Sequence, residues 1–229
     1  WWGDVARWAY RSCTSFLHHV SAAHPTATDA AGEPLRALKL GSCWGGWDCN
    51  NPSYHSPAHF RAFRDFMSAL DAAEVVGVAP VAATLAPAWG ALIEGTYAIL
   101  EEAQCHATGL VPNWWVPSLS GTPAAGTPGC DGSGTPPAEF GSEASRAAWR
   151  VALDALWYGD ERASAFARRL GAQTTSKLRL YGVDGCTSTS ACAALQLDTG
   201  CDVTSIHSDW LGLGFMLGPM ATSLQVPLD

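Results

Sequence analysis

Several kinds of chemistry are missing from this 229-residue chain. It has no Cys-x-x-Cys pair, although it holds eight cysteines. A zinc ribbon or thioredoxin-type motif is therefore not indicated. It has no His-Glu-x-x-His, so the commonest helical zinc-hydrolase motif is absent. There is no Gly-x-Ser-x-Gly, which argues against a nucleophile elbow. Its glycine-rich stretches do not follow strand–turn–helix order, which argues against a phosphate loop. No apolar run is long enough to span a bilayer, and the opening residues do not read as a secretory leader. Positive charge is scarce, with 13 Lys plus Arg against 21 Asp plus Glu and a net charge of -8. That balance speaks against nucleic acid, which rewards basic surfaces, and no nucleic-acid partner is expected. No membrane partner and no cofactor are expected.

Apolar residues make up 48% of the chain and charged residues only 15%, so a sizeable buried core is expected rather than disorder. Tryptophan is abundant, at 11 residues. Most indoles serve as core packing. They also make flat platforms for sugar rings, and Trp44, Trp47, Trp114 and Trp115 stand in Gly- and Pro-rich loops where that second use is open. The even number of cysteines, mostly in loop-like sequence, predicts disulfides and an extracellular or secretory-pathway setting. Cys43 and Cys49 could close a short loop around Trp44. Two of Cys186, Cys192 and Cys201 could pair in the same way. The chain opens at Trp1-Trp2, without Met, almost at once inside a helical pattern, which reads as a segment of a longer polypeptide.

The periodicity is mainly helical. Val5, Trp8, Ala9, Cys13, Phe16, Leu17 and Val20 trace the face of a first helix. Residues 21–56 read as a long loop with a short extended piece at Leu35–Leu40. Pro57 suits a helix first turn, with Phe60, Phe63, Met67 and Leu70 as the apolar stripe. Pro87 is read as the opening of a third helix, with Trp89, Leu92, Ile93, Thr96, Leu100 and Ala103 inward. Residues 116–139 are a long Gly/Pro/Ser/Thr loop. A helix follows Glu143, carries Trp149, Ala152, Leu156 and Trp157, and stops at Gly159. Another starts at Asp160, with Ala163, Phe166, Ala167 and Leu170 before Gly171. A Cys- and Ser-rich loop covers 183–205, and a last apolar segment runs from Trp210 to Leu224. The expectation is an all-α array of about six or seven helices with long loops.

The chemistry concentrates at Glu143. A carboxylate at a helix mouth is favoured by the macrodipole. With Arg146 one turn on, it suits an acid or base acting on a glycosidic bond. An exposed ion pair on a helix surface would contribute little by itself. His18 and His19 are adjacent, with His24 close by, and adjacent histidines face different sides of a helix; His55 and His59 lie on a loop-to-helix join, so no metal is expected.

Four blocks, in order, resemble family 8 glycoside hydrolases. Leu38-Lys-Leu-Gly-Ser-Cys-Trp44 resembles that family's Leu-Lys-Pro-Gly-Asp-x-Trp loop. Asn51-Pro-Ser-Tyr-His-Ser-Pro-Ala58 is similar to its Asn-Pro-Ser-Tyr-Phe-x-Pro-Ala. Thr108-Gly-Leu-Val-Pro-Asn-Trp114 is close to Thr-Gly-Leu-Val-Pro-Asp-Trp. Glu143-Ala-Ser-Arg146 and Trp157-Tyr-Gly-Asp-Glu-Arg162 match Asp-Ala-x-Arg and Trp-x-Gly-Asp-x-Arg. A fifth, weaker block lies between His207 and Met220.

The resemblance implies an incomplete (α/α)6 barrel-like helical array. It implies a single partial catalytic domain over residues 1–229, without the N-terminal half or the last helix of the family barrel. It further implies an inverting, endo-acting hydrolase of β-1,4-linked polysaccharide or oligosaccharide, most simply a cellulose-like β-glucan. Glu143 takes the general-base position, where the family more often has Asp. Trp44 takes a sugar platform. Tyr54 lies near the base and its water, and Arg146 holds Glu143 ionised or touches substrate. Asn113 stands where the family has Asp, which points to a structural role. An inverting reaction needs a second, protonated carboxyl roughly 6.5–9.5 Å from the base. The family's proton donor has no match in this segment, so the missing remainder of the barrel is an expected partner. The alternative is a non-catalytic carbohydrate-binding or structural module derived from the same fold.

Overall fold

The computed structural model describes residues 1–75, 77, 79–105, 109–117, 119, 124–125, 139–140, 142–181, 194–197 and 203–207. Six α-helices lie among the described residues: α1 Trp2–His19, α2 Pro57–Ala72, α3 Ala82–Ala103, α4 Ser142–Ser145, α5 Ala147–Tyr158 and α6 Glu161–Tyr181. Strands β1 Ser21–Thr28 and β2 Pro34–Leu38 form a hairpin. β3 Trp115–Val116 pairs with β4 Ala124–Ala125. β5 Glu139–Phe140, β6 Ala194–Leu197 and β7 Val203–His207 form a three-stranded sheet in that order. No helix among the described residues is long and apolar enough to cross a membrane.

α1, α2 and α3 are joined by a polar knot around Asp71, at the end of α2. The Tyr10 hydroxyl donates to Asp71 Oδ1 at 2.7 Å and accepts from the Val81 N–H at 2.9 Å. Asp71 Oδ2 accepts from the Ala82 N–H at 2.7 Å. Two backbone donors at the start of α3 are thus satisfied from other helices. This explains why α3 begins at Ala82 rather than at Pro87, the expected opening. Pro87 lies inside the helix, where its ring removes one backbone bond, and the anchored first turn carries the helix through it.

α1 turns the expected face inward over its second half, through Cys13, Phe16, Leu17 and Val20, but not at its start. Tyr10, Cys13 and Leu17 are buried, whereas Val5 and Trp8 are exposed. Phe16 packs against the core and stacks on Trp89 of α3 at 6.1 Å between ring centroids, with Phe60 and Phe63 of α2 completing the cluster. Aromatic rings at such distances add to the area they bury. The expected inner residues of α3 are all buried: Trp89, Leu92, Ile93, Thr96, Leu100 and Ala103. So are Ala163, Phe166, Ala167 and Leu170 of α6. That helix does not stop at Gly171 but continues to Tyr181, since one Gly in a helix costs only about 1 kcal/mol.

Four further expectations are corrected. The region after Glu143 is two helices, α4 and α5, separated by a turn at Arg146. Within α5 the inner positions are Ala148, Val151, Ala152, Asp154 and Ala155, and Trp149, Leu156 and Trp157 are exposed. Segments read as loops hold strands. β1 lies in the 21–56 region and pairs with β2 in the register Ser21↔Leu38, Ala22↔Ala37 and Ala23↔Arg36. β6 and most of β7 lie in 183–205. These sequences are poor in apolar alternation, and pairing makes them strands: β1 with β2, and β6 with both β7 and the distant β5. Cys43 is an exposed free thiol, so it closes no loop with Cys49, which is buried and engaged elsewhere. Cys130, Cys186, Cys192 and Cys201 lie outside the described residues, as do residues 208–229 with the fifth block beyond His207.

Candidate active site

Four loop and helix segments distant in sequence meet around Asn50, Asn51, Asn113 and Glu143. Asn50 is fully buried. Its Nδ2 donates to the carbonyls of Leu38 and Gly46, both at 3.2 Å, and its backbone exchanges two hydrogen bonds with Trp115, at 2.7 and 2.8 Å. The Asn50 Oδ1 faces His55 Nε2 at 2.7 Å, and His55 Nδ1 faces Thr96 Oγ1 of α3 at 2.9 Å. With the Asn50 amide nitrogen committed to two carbonyls, its oxygen must accept. His55 therefore carries its proton on Nε2, and Nδ1 accepts from Thr96. Complete burial lowers the His55 pKa to about 3, so the ring is neutral at ordinary pH.

Asn51 starts a 3-10 turn over Pro52–Tyr54. Its Oδ1 accepts from the Ser53 N–H at 3.0 Å and the Ser53 hydroxyl at 2.6 Å. Its Nδ2 donates to Glu143 Oε2 at 2.9 Å. Glu143 lies in the single turn of α4, with its side chain 23% exposed. The same Oε2 accepts from Arg146 Nη2. The helical turn is held from below by Asn113, whose Oδ1 accepts from the Ala144 N–H at 2.9 Å. Asn113 is buried; an amide here supplies the one acceptor required without burying a charge.

Tyr54 lies beneath two guanidinium groups, Arg146 at 5.7 Å and Arg150 at 5.9 Å from its ring centroid. Arg150 Nη1 also donates to the Ser53 carbonyl at 2.5 Å. Burial, and then repulsion from Arg146, lower the Arg150 pKa, yet an arginine stays charged throughout the ordinary pH range. Arg146 has its Nε–H buried without an acceptor among the described residues.

The structure thus brings together three of the expected site residues, Glu143, Tyr54 and Arg146. No hydrogen bond joins the Tyr54 hydroxyl to Glu143; the ring reaches it through Arg146. Trp44 is not in this hydrogen-bonded group. It is 43% exposed and folds over Gly41, where a Cβ would lie 2.4 Å from the indole nitrogen. Its loop is fixed to the site by the Asn50 bonds at Leu38 and Gly46. Of the other loop tryptophans, Trp114 and Trp115 are buried core residues, and Trp47 is half-buried with its Nε1 donating to the Ala22 carbonyl at 2.9 Å. Asn51 and Arg150 were not singled out from sequence. Two signals existed: an Asn immediately before Pro-Ser-Tyr, and an Arg four residues after Arg146, on the same helix face. Among the described residues no three His, Cys, Asp or Glu side chains gather into a metal-binding group.

The second half of the fourth block, Trp157 to Arg162, does different work together with the end of α5. Asp154 of α5 is fully buried and accepts from Arg61 Nε of α2 at 2.9 and 3.2 Å and from the Tyr97 hydroxyl of α3 at 2.5 Å. Gly159, at φ 67°, ends α5 and turns the chain so that Asp160 meets Arg61 Nη2 at 2.7 Å. Arg162 lies 3.9 Å over the Tyr97 ring and bonds Glu94 at 2.7 Å. This is a cross-link between four helices.

The family model for glycosyl hydrolases family 8 matches residues 2–200. Endoglucanase 2 of Ruminiclostridium josui is 33% identical over 180 residues, which cover 73% of this chain and 33% of the relative. Endoglucanase A of Acetivibrio thermocellus is 32% identical over 130 residues, covering 56% and 21%. The chain therefore spans about a third or less of the length of these relatives. Among solved structures, an apo β-1,3-1,4-glucanase from Paenibacillus sp. X4 aligns with a TM-score of 0.59 at 18% identity, over 82% of this chain and 43% of that one. A family 8 xylobiose complex from Teredinibacter turnerae aligns with a TM-score of 0.56 at 18% identity, over 99% and 53%. At such identity the likeness is one of fold: the helices form part of an (α/α)6 barrel-like array. With the family pattern running through nearly the whole sequence and the helices laid out as in its solved structures, this chain belongs to glycosyl hydrolase family 8.

Proposed function

We infer that this chain supplies the base side of an inverting, endo-acting hydrolase of β-1,4-linked glucan, with Glu143 as general base. The observation that carries the reading is the Glu143 carboxylate itself. It stands at a helix entrance, a quarter exposed, with Asn51 and Arg146 on one oxygen. The curated relatives named endoglucanases support β-glucan as the substrate class. Both hydrogen bonds to Glu143 come from donors that favour its ionised form, the form a base requires.

In the reaction, Glu143 takes a proton from a water on the face of the sugar opposite the leaving group. The water oxygen bonds to the anomeric carbon, the glycosidic bond breaks, and its electron pair leaves with the departing oxygen. That oxygen needs a proton from a carboxylic acid across the bond; we assign that role to none of the described residues. Trp44 is proposed as a sugar platform and Tyr54 and Arg146 as groups lining the base side. An extracellular setting and disulfide cross-links belong to the same proposal.

The test combines cello-oligosaccharide affinity with reducing-sugar release from carboxymethylcellulose. Proton transfer to a positioned group contributes ~10²–10⁴-fold to rate. Glu143→Gln is expected to leave affinity within about twofold and to lower turnover by at least ~10²-fold, wherever the proton donor is present. Turnover that survives the substitution sinks the assignment. Binding without any turnover, unchanged by Glu143→Gln, would favour a non-catalytic binding module.

A further inference from the structure

A carboxylate has two oxygens, and here they are treated differently. Glu143 Oε2 receives Asn51 Nδ2 at 2.9 Å and Arg146 Nη2. No hydrogen bond of Oε1 is made with any described residue. The Asn51 amide has only one orientation open to it. Its Oδ1 is fixed by two donors of Ser53, the backbone N–H and the hydroxyl, so Nδ2 must face Glu143. Asn51 and Ser53 are both fully buried, which removes water as a competitor for these bonds.

We propose that Asn51 is a positioning residue, oriented by Ser53, that ties down Oε2 of Glu143 together with Arg146 and leaves Oε1 as the oxygen that takes the proton from water. This rests on the reading of Glu143 as the base and adds which atom acts and what aims it. The carboxylate is clamped at one oxygen by two segments, the turn after Asn51 and the helix start at Arg146. Rotation about the last side-chain bond would exchange the oxygens only by breaking both bonds. A Glu, one methylene longer than Asp, has more rotamers to lose, and a second donor from outside the helix restricts them. Asn51 makes no contact with substrate in this scheme; it acts through Glu143.

The test reads the carboxylate directly, so it does not depend on turnover. Glutamate labelled with ¹³C at the carboxyl is incorporated into the chain, and the Glu143 signal is identified by its loss in Glu143→Gln. Asn51→Ala removes a donor from the ionised form, so the Glu143 titration midpoint is expected to move upward. Asn51→Asp, nearly the same shape, sets a second carboxylate against Oε2 and is expected to move it further up. Ser53→Ala loosens the Asn51 amide and should give a smaller shift of the same sign. A turn residue with a merely structural role would leave the midpoint in place. If Asn51→Ala fails to fold, Asn51→Asp and Ser53→Ala decide. An unmoved midpoint in folded variants overturns the proposal. A moved midpoint combined with turnover that survives Glu143→Gln upholds the Asn51 clamp and sinks the base reading; an unmoved midpoint with turnover lost in Glu143→Gln does the reverse.

Discussion

At the residue scale, His55 shows how a side chain outside the reaction can set the conditions under which the site exists. It is buried completely, neutral, and bonded on both sides, to Asn50 and to Thr96. Its pKa of about 3 in the folded chain compares with about 6.5 in an unfolded one. Below pH 6.5 the unfolded chain therefore binds a proton that the folded chain does not. Stability from this residue is fully present above about pH 6.5 and is lost as pH falls toward 3, with a limiting slope of about 1.4 kcal/mol per pH unit. Guanidinium unfolding at pH 7, 6 and 5 should show that loss, and His55→Gln should flatten it, even if the variant is less stable throughout. Parallel curves for the two proteins would remove His55 from this role. The sequence marked His55 only as a poor metal candidate. Its real environment depends on Thr96, forty-one positions away, and no local spacing announces such a pair.

At the scale of elements, the close approach of α3 to β2 matters most for the site. A Cβ built on Gly95 would lie 2.1 Å from the Arg36 carbonyl oxygen and 3.0 Å from the Arg36 nitrogen. Backbone meets backbone there, and Thr96 is the next residue. Gly in a free helix is worse than Ala by about 1 kcal/mol, so Gly95→Ala would stabilise an isolated α3. In the folded chain the clash must be relieved by moving α3 from β2, and overpacking of this kind costs about 1–3 kcal/mol or more. The expected result of Gly95→Ala is a fall in Tm of several degrees, since about 1 kcal/mol corresponds to about 2–4 °C in a chain this size. An unchanged or raised Tm in a thermal melt would show that the helix has room to give.

The same elements explain what could be read in advance. The stripes of α2, α3 and α6 were legible because each buries a regular apolar face. The start of α3 was not, because Tyr10 and Asp71 supply its anchors from other helices. β1 was missed because Ser-Ala-Ala-His-Pro-Thr-Ala-Thr has no alternating apolar pattern; β2 and the Trp47 indole hold it. The site residues Glu143, Tyr54 and Arg146 could be read as neighbours through the family blocks. The sequence signals of Asn51 and Arg150 are weak, and their contacts form when the 3-10 turn and the α4–α5 junction are brought together.

At the scale of the whole molecule, the four-helix cross-link at Asp154 holds the helices that position the site. Asp154 has no exposed surface and stands between Arg61 and the Tyr97 hydroxyl. Burial first, and then hydrogen bonding and charge from Asp154, raise the Tyr97 pKa far out of its usual range. Burial opposes the charge on Arg61, but its bonds to Asp154 and the charge of Asp160 outweigh that and raise its pKa. The three groups were taken out of water together, and replacing all of them by apolar side chains need not destabilise the fold. Removing one is different. Asp154→Ala leaves a partly buried guanidinium with only Asp160 and a buried hydroxyl with no acceptor, a loss at the lower end of the roughly 3–5 kcal/mol that breaking a buried pair costs. Asp154→Asn keeps an acceptor for Tyr97 and should cost less. Arg61→Met in the Asp154→Ala background should recover part of the loss, because the unpaired charge is gone. Denaturant unfolding of the parent chain, Asp154→Ala, Arg61→Met and the double variant measures this, and strictly additive effects of the two substitutions would show that the cross-link acts as separate contacts rather than as one unit.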